Sequence, residues 1–188
     1  LSNPTQIILG KIKKQGVALS IINNVNTGIM GGCDYISQRN IDYCSSQERT
    51  KKDIRLRDGV FVLDDTHGRD KDVIKDIKKT GYLYKFYKNS DIERYYTSKA
   101  TSKYIIFSSR DNSAYVNSDI KRHLDKFKRI LEKNREINNE NTNHFPFLRR
   151  GTSHQYIFES AKIVAPQRSP RNTFGYNEIP WYASADVY

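Results

Sequence analysis

"KIVAPQRSPRNTFGYNEIPWYASADVY", residues 162–188, is the stretch on which the reading of the fold turns. Two runs of β-type residues, 162–166 and 181–188, flank a loop rich in arginine, serine and aromatics. Valine, isoleucine, tyrosine and tryptophan suit a pleated, half-buried surface, so the segment is expected to form a hairpin with Phe174, Tyr176 and Tyr182 in the core. The loop carries Gln167, Arg168, Ser169, Arg171 and Asn172, none of which a buried hairpin needs. Two roles stand open for its arginines: facing a polyanion, or bracing the hairpin by pairing with Glu178 or Asp186. Pro166 and Pro170 restrict the loop and lower the entropy lost when it is ordered on binding.

Upstream, "NSDIKRHLDKFKRILEKNREI" (117–137) predicts one long amphipathic helix. Asn117 or Ser118 caps it, Asp119 suits the positive end of the helix dipole, and Ile120, Leu124, Phe127 and Leu131 form one apolar stripe. The lysines and arginines on its other faces read chiefly as a solvated surface. "DIERYY" (91–96) and "KYIIFS" (103–108) read as strands around a polar turn, and "GVFVLDD" (59–65) as a short buried strand. Residues 66–81 predict a short helix ended by Gly81, with Val73, Ile74 and Ile77 inward. "NTGIMGGCDYI" (26–36) is a glycine turn before a strand, and 45–57 is charged and exposed. "QIILG" (6–10) and "GVALSIINNV" (16–25) fit a strand or a short helix equally. This irregular interleaving predicts an α+β fold with a mixed or antiparallel sheet and one long helix. The chain reads as one domain over 1–188, with a subdivision into 1–81 and 82–188.

The sequence has 188 residues, 37% of them apolar and 28% charged, which is enough to build a buried core. Thirty-two lysines and arginines against 21 acidic residues leave a formal charge of +11. That excess points to a polyanionic partner, nucleic acid first, because each cation seated on a phosphate releases counterions. The two cysteines, Cys33 and Cys44, lack zinc-site spacing and a histidine pair to complete one. They are expected as free thiols in a reducing compartment, hence a cytoplasmic location. No apolar run approaches the ~18 residues of a membrane span. The chain starts at Leu1 and stops within an apolar-alternating run, so it reads as a piece of a longer protein.

Catalytic signatures are sparse. There is no Gly-x-Ser-x-Gly elbow and no His-Glu-x-x-His. Asp64, Asp65 and Asp70, close together in "LDDTHGRD", are the best acidic candidates for a divalent metal and carry the alternative of a small metal-dependent nuclease. A strand ending in an Asp-rich turn produces the same pattern. Binding chemistry is better supplied. Arginine and lysine reach guanine O6 and N7, glutamine and asparagine read adenine, and serine and threonine hold phosphates. Three loops offer these types: Lys88, Asn89 and Ser90 with Arg94; Arg149, Arg150, Thr152, His154 and Gln155 around Gly151; and Gln167, Arg168, Ser169, Arg171 and Asn172. A third alternative is a protein-interaction scaffold docking through the charged helix.

Residues 119–137 and 145–188 resemble the TaqI-like C-terminal specificity domain. The positions that carry the likeness are Leu124, Phe127, Leu131 and Arg135, then Phe158, Lys162, Ile163, Val164, Arg168, Phe174, Tyr176, Asn177 and Glu178, and finally Tyr182, Ala183, Asp186, Val187 and Tyr188. "YKFYKNSDIERYY" and "NTGIMGGCDYI" are similar to earlier segments of that family. The likeness is strongest over 82–188. It implies a target recognition domain of an adenine-N6 DNA methyltransferase, in a type II restriction–modification or phage-defence enzyme. The implied partners are double-stranded DNA and a methyltransferase domain of the same polypeptide. S-adenosylmethionine is implied for that parent protein and not for this chain, whose sequence lacks both the Asn-Pro-Pro-Tyr/Phe motif and the glycine-rich cofactor motif. The expectation is a non-catalytic, sequence-reading domain.

Overall fold

The computed structural model describes residues 3–17, 21, 24–153 and 155–188. Helix α1 (Pro4–Gln15) settles the first ambiguous run as helical. Asn3 accepts from the Thr5 N–H, and Pro4 stands in the first turn, where no N–H is needed. Much of 16–25, the second ambiguous run, lies outside the described residues. Two short helices follow, α2 (Gln38–Ile41) and α3 (Ser46–Lys52), capped by Ser37 and Ser45. Then come β1 (Val62–Asp64) and α4 (Gly68–Ile77), which buries Ile74 and Ile77 as its periodicity requires.

Strands β2 (Leu83–Tyr87), β3 (Ile92–Glu93), β4 (Tyr95–Thr97) and β5 (Lys103–Ile106) precede the helical segment. After it come a short helix (Gln155–Glu159) and β6 (Lys162–Val164), β7 (Gly175–Asn177) and β8 (Tyr182–Ala183). They form two four-stranded mixed sheets, β1-β5-β2-β8 and β3-β4-β7-β6. The first is antiparallel except for the β2–β8 pair, which is parallel; the second is antiparallel except for β4–β7. The α+β class with mixed sheets is therefore as expected.

Three details differ. The long helix is two, α5 (Ser118–Lys126) and α6 (Lys128–Ile137), broken at Phe127 (φ −101°, ψ 3°). No proline or glycine causes the break. The turn tightens instead, as the Phe127 N–H reaches the Leu124 carbonyl at 3.0 Å while the Phe127 ring is buried. The apolar stripe survives, with Ile120, Leu124, Phe127 and Leu131 all buried. Second, "DIERYY" is a hairpin and not one strand: Arg94 and Tyr95 form its turn, with Tyr95 in the left-handed region at φ 77°. Its second strand therefore joins a different sheet from "KYIIFS".

Third, the closing segment is more than a hairpin. Strand β6 pairs with β7, while the backbone just beyond it pairs antiparallel with the C-terminus, where Ala165 and Tyr188 exchange two bonds of 2.8 Å and Gln167 N–H meets the Asp186 carbonyl at 2.7 Å. Strand β8 leaves that group for β2. Phe174 and Tyr176, expected in the core, are 50% and 55% exposed, whereas Tyr182 is buried as expected.

Strands β2 and β8 stand between two hydrophobic cores. Phe86 and Tyr182 face the larger one, with Phe61, Phe107, Ile120, Leu124 and Ile130. Tyr87, Trp181 and Ala183 face the smaller one, with Ile92, Val164 and Val187. Tyr84 stacks on Tyr182 with ring centroids 4.3 Å apart, and Tyr87 on Trp181 at 4.7 Å. The indole N–H donates to the Ser98 carbonyl at 3.0 Å, so this buried aromatic leaves no orphan donor. Gly28 closes the arrangement: a Cβ there would lie 2.1 Å from the Ser184 carbonyl oxygen, so only glycine lets the 26–36 turn meet the C-terminal backbone. Cys33 and Cys44 are buried free thiols, and burial pushes Cys33 up to about 12.

A buried carboxylate ties two helices to the segment before β1. The Asp58 side chain is 2% exposed and pairs with Arg69 at 2.8 Å and Lys126 at 3.1 Å. Beside it the His123 Nε2–H donates to the Val60 carbonyl at 2.9 Å, and burial lowers the affinity of its ring for a proton.

Two outcomes follow. Trp181→Ala should cost about 3–5 kcal/mol in denaturant unfolding, with Trp181→Phe costing clearly less. A loss no greater than that of an exposed-residue control would show that the second core contributes little. Because folding depresses His123, the unfolded chain takes up that proton first, below about pH 6.5. His123 therefore contributes stability above that pH, and the contribution is lost as pH falls. Unfolding free energy should drop between neutral and mildly acidic pH, and by less in His123→Gln.

Candidate nucleic-acid interface

Two of the three basic loops meet at one end of the second sheet. The β3–β4 turn carries Arg94, and the 165–174 segment, with Gln167, Arg168, Ser169, Arg171 and Asn172, runs from β6 into β7. The Tyr95 N–H donates to the Phe174 carbonyl at 2.7 Å, and Tyr95 pairs with Gly175 across the parallel ladder. A Cβ on Gly175 would stand 2.5 Å from the Thr97 methyl, so glycine sets how closely the two strands approach. Residues 167–172 are all exposed.

The loop is ordered by local contacts. Ser169 and Thr173 hydroxyls lie 3.1 Å apart, and the Arg171 N–H donates to Ser169 Oγ at 3.3 Å. Gln167 Nε2 donates to the Tyr188 hydroxyl at 3.2 Å. The bracing role for the arginines is not realised: among the described residues neither Arg168 nor Arg171 pairs with Glu178 or Asp186. Glu178 instead accepts from the Tyr176 hydroxyl at 2.8 Å. Arg94 lies over the Tyr95 ring, 5.5 Å from its centroid.

Several of the other candidates have partners elsewhere. Lys88 reaches Asp34 at 3.4 Å, Asn89 and Ser90 lie in a single 3-10 turn, and Asp91 accepts from the Lys88 N–H at 2.7 Å. Arg149 Nε donates to Glu140 at 2.8 Å, and the same carboxylate takes Arg135 at 2.9 Å. These two cations hold the Glu140 carboxyl below its ordinary range, Arg149 foremost. Gln155 is spent on the Tyr182 hydroxyl at 2.9 Å and on Tyr84 and Glu159. Arg150 is exposed, and its carbonyl accepts from the Met30 N–H at 3.2 Å; Thr152 is half-buried. His154 lies outside the described residues.

The acidic candidates do not converge. Both Asp70 oxygens accept backbone N–H groups, from Gly59 at 3.1 Å and Asp64 at 3.0 Å. Asp64 accepts from the Thr66 N–H and hydroxyl, while the Asp65 N–H donates to Ser102. No group of three or more histidine, cysteine or acidic side chains that could hold a metal ion occurs among the described residues.

The sequence reading missed the aromatic surface beside the cationic loop. Tyr95, Tyr96, Phe174 and Tyr176 are exposed by 50–73%. Strand alternation taken from the true hairpin turn at Arg94–Tyr95 would have placed Tyr96 opposite the buried Thr97. No protein-family model matches the chain, and no curated protein matches it.

Arg149 should behave as a brace. Arg149→Ala is expected to lower unfolding stability by about 1–3 kcal/mol through loss of charge-assisted hydrogen bonds, with a non-additive double mutant alongside Glu140→Gln. Additive effects in that cycle would argue against the pair.

Proposed function

We propose that this chain binds double-stranded DNA and reads its sequence as a non-catalytic target recognition domain, within an adenine-N6 DNA methyltransferase or restriction–modification enzyme of the cytoplasm. The observation that carries the reading is the exposed loop bearing Arg168 and Arg171. It is stiffened by Pro166 and Pro170, free of internal ion pairs among the described residues, and set beside Arg94 on a chain of net charge +11. Guanidinium groups in that state have hydrogen bonds to offer and no partner to lose, which is what phosphate oxygens and guanine edges require. No helix among the described residues is long and apolar enough to cross a membrane.

The finer assignment rests on the resemblance over 82–188. Methylating an adenine within a duplex requires flipping it out, at a cost of a few kcal/mol. In this reading the methyltransferase domain of the parent takes the flipped base and this domain holds the duplex around it. S-adenosylmethionine belongs to that other domain. The glycine turn of this chain packs closely on its own neighbours, with Gly28 against Ser184 and Gly32 against the Arg149 side chain.

Selection of bound duplexes from a randomised pool at two salt concentrations tests the proposal. A short enriched motif that survives the higher salt is expected. Arg168→Ala or Arg171→Ala should relax preference at one position by about 1–3 kcal/mol where the contact is to a base, or lower the salt slope by about 1 where it is to a phosphate. No motif, and no change in either variant, would falsify it.

A further inference from the structure

Glu93, Tyr96, Tyr176 and Ile163 lie opposite one another across all four strands of the second sheet, in the order β3-β4-β7-β6. Tyr96 is 59%, Tyr176 55% and Ile163 69% exposed, whereas the residues alternating with them, Thr97, Asn177 and Val164, are buried. The inner residues are well held: Asn177 Nδ2 donates to Thr97 Oγ1 at 2.7 Å, and Val164 packs in the second core. The exposure of the row therefore belongs to one face of a firmly packed sheet and not to fraying strands. At about 4.8 Å per strand the row extends over roughly 14 Å.

A sheet face turned to water ordinarily carries polar side chains. Beside Glu93 on the outer strand this one carries two phenol rings and a branched aliphatic, with Phe174 and Tyr95 exposed at its end. The cations of the interface flank it there: Arg94 in the turn that leads into β4, Arg168 and Arg171 in the loop that leads into β7. Aromatic faces beside guanidinium groups that have no ion pair among the described residues match a nucleic-acid strand whose bases are free, because rings stack on bases of any identity while cations follow the phosphates. A paired duplex cannot use such a face, since its base planes are already stacked on one another. The charge complementarity of the flanking loops thus selects a nucleic-acid strand as occupant over an apolar protein surface.

We infer that the outer face of the second sheet is a stacking platform for unpaired DNA bases, with Tyr96 and Tyr176 each taking a base and Arg94, Arg168 and Arg171 holding the phosphates. The platform shares its cations with the duplex-reading loop but rests on different side chains and a different state of the DNA. Glu178 fixes the hydroxyl of Tyr176 and leaves the ring face open.

The test is a set of anisotropy titrations with a short oligothymidylate, an abasic strand of equal length and charge, and a fully paired duplex. The intact chain is compared with Tyr96→Ala, Tyr176→Ala and Tyr176→Phe, whose thermal unfolding should match the parent because both rings are exposed. The intact chain should prefer the base-bearing strand to the abasic one. Each alanine variant should bind the oligothymidylate roughly 5- to 150-fold more weakly, with duplex affinity unchanged and Tyr176→Phe retaining binding. Equal binding of abasic and base-bearing strands, or alanine variants that bind as the parent does, overturns the platform. Duplex binding together with that result leaves the duplex reading standing. Strand binding without duplex binding upholds the platform and removes the duplex reading. Failure to bind any of the three overturns both and leaves the face to a protein partner.

Discussion

The parallel pairing of β2 with β8 is the constraint on which the rest depends. Phe86 lies opposite Tyr182 and Tyr87 opposite Ala183, and because side chains alternate along a strand, each strand serves both cores. One side receives Phe86 and Tyr182, the latter stacked on Tyr84 and Phe158 and edge-on to Phe107; the other receives Tyr87, Trp181 and Ala183. A slip of one residue would exchange those sets and send two large aromatics to the wrong core. Residues from near both ends of the chain converge on this seam: Ile29 N–H donates to the Ala183 carbonyl at 2.7 Å, and Ser184 N–H to Tyr87 at 2.9 Å.

The same seam bears on the exposed loop and the second sheet. With Trp181 and Val187 in the second core, residues 165–167 pair with the C-terminal backbone, and residues 167–172 are left exposed. The second sheet has one face on that core and the other open, so its aromatic residues divide by register alone. Tyr96 and Tyr176 take the open face, and their neighbours Thr97 and Asn177 hydrogen-bond beneath them. Helices α5 and α6 stay remote from this division. Their part is to cover the first core and to lend Lys126 to the buried carboxylate of Asp58.

Basic residues sort by partner, not by abundance. Arg69, Arg135 and Arg149 look no different in sequence from Arg94, Arg168 and Arg171, yet the first three are committed to Asp58, Asp53 or Glu140. Net charge counts every cation alike, while the ion pairs show which of them already have an acidic partner within the fold.

Local pattern alone determined the α+β class, the capped and striped segment 117–137, the buried strand near Phe61, the free thiols and the candidate loops. Those features depend on neighbours in sequence: a cap, a 3.6-residue period, a run of β-branched residues, an absence of ligand spacing. Tertiary structure decided the break at Phe127, the hairpin inside "DIERYY", the transfer of β8 to the first sheet, and the exposure of Phe174 and Tyr176. It also placed Arg149 and Gln155 in hydrogen bonds to Glu140 and to Tyr182. Each of these turns on a partner far away in the chain, as with Gly175 beside Thr97 or Glu140 beneath Arg149, and strand periodicity cannot say which of two faces will find a core to cover it.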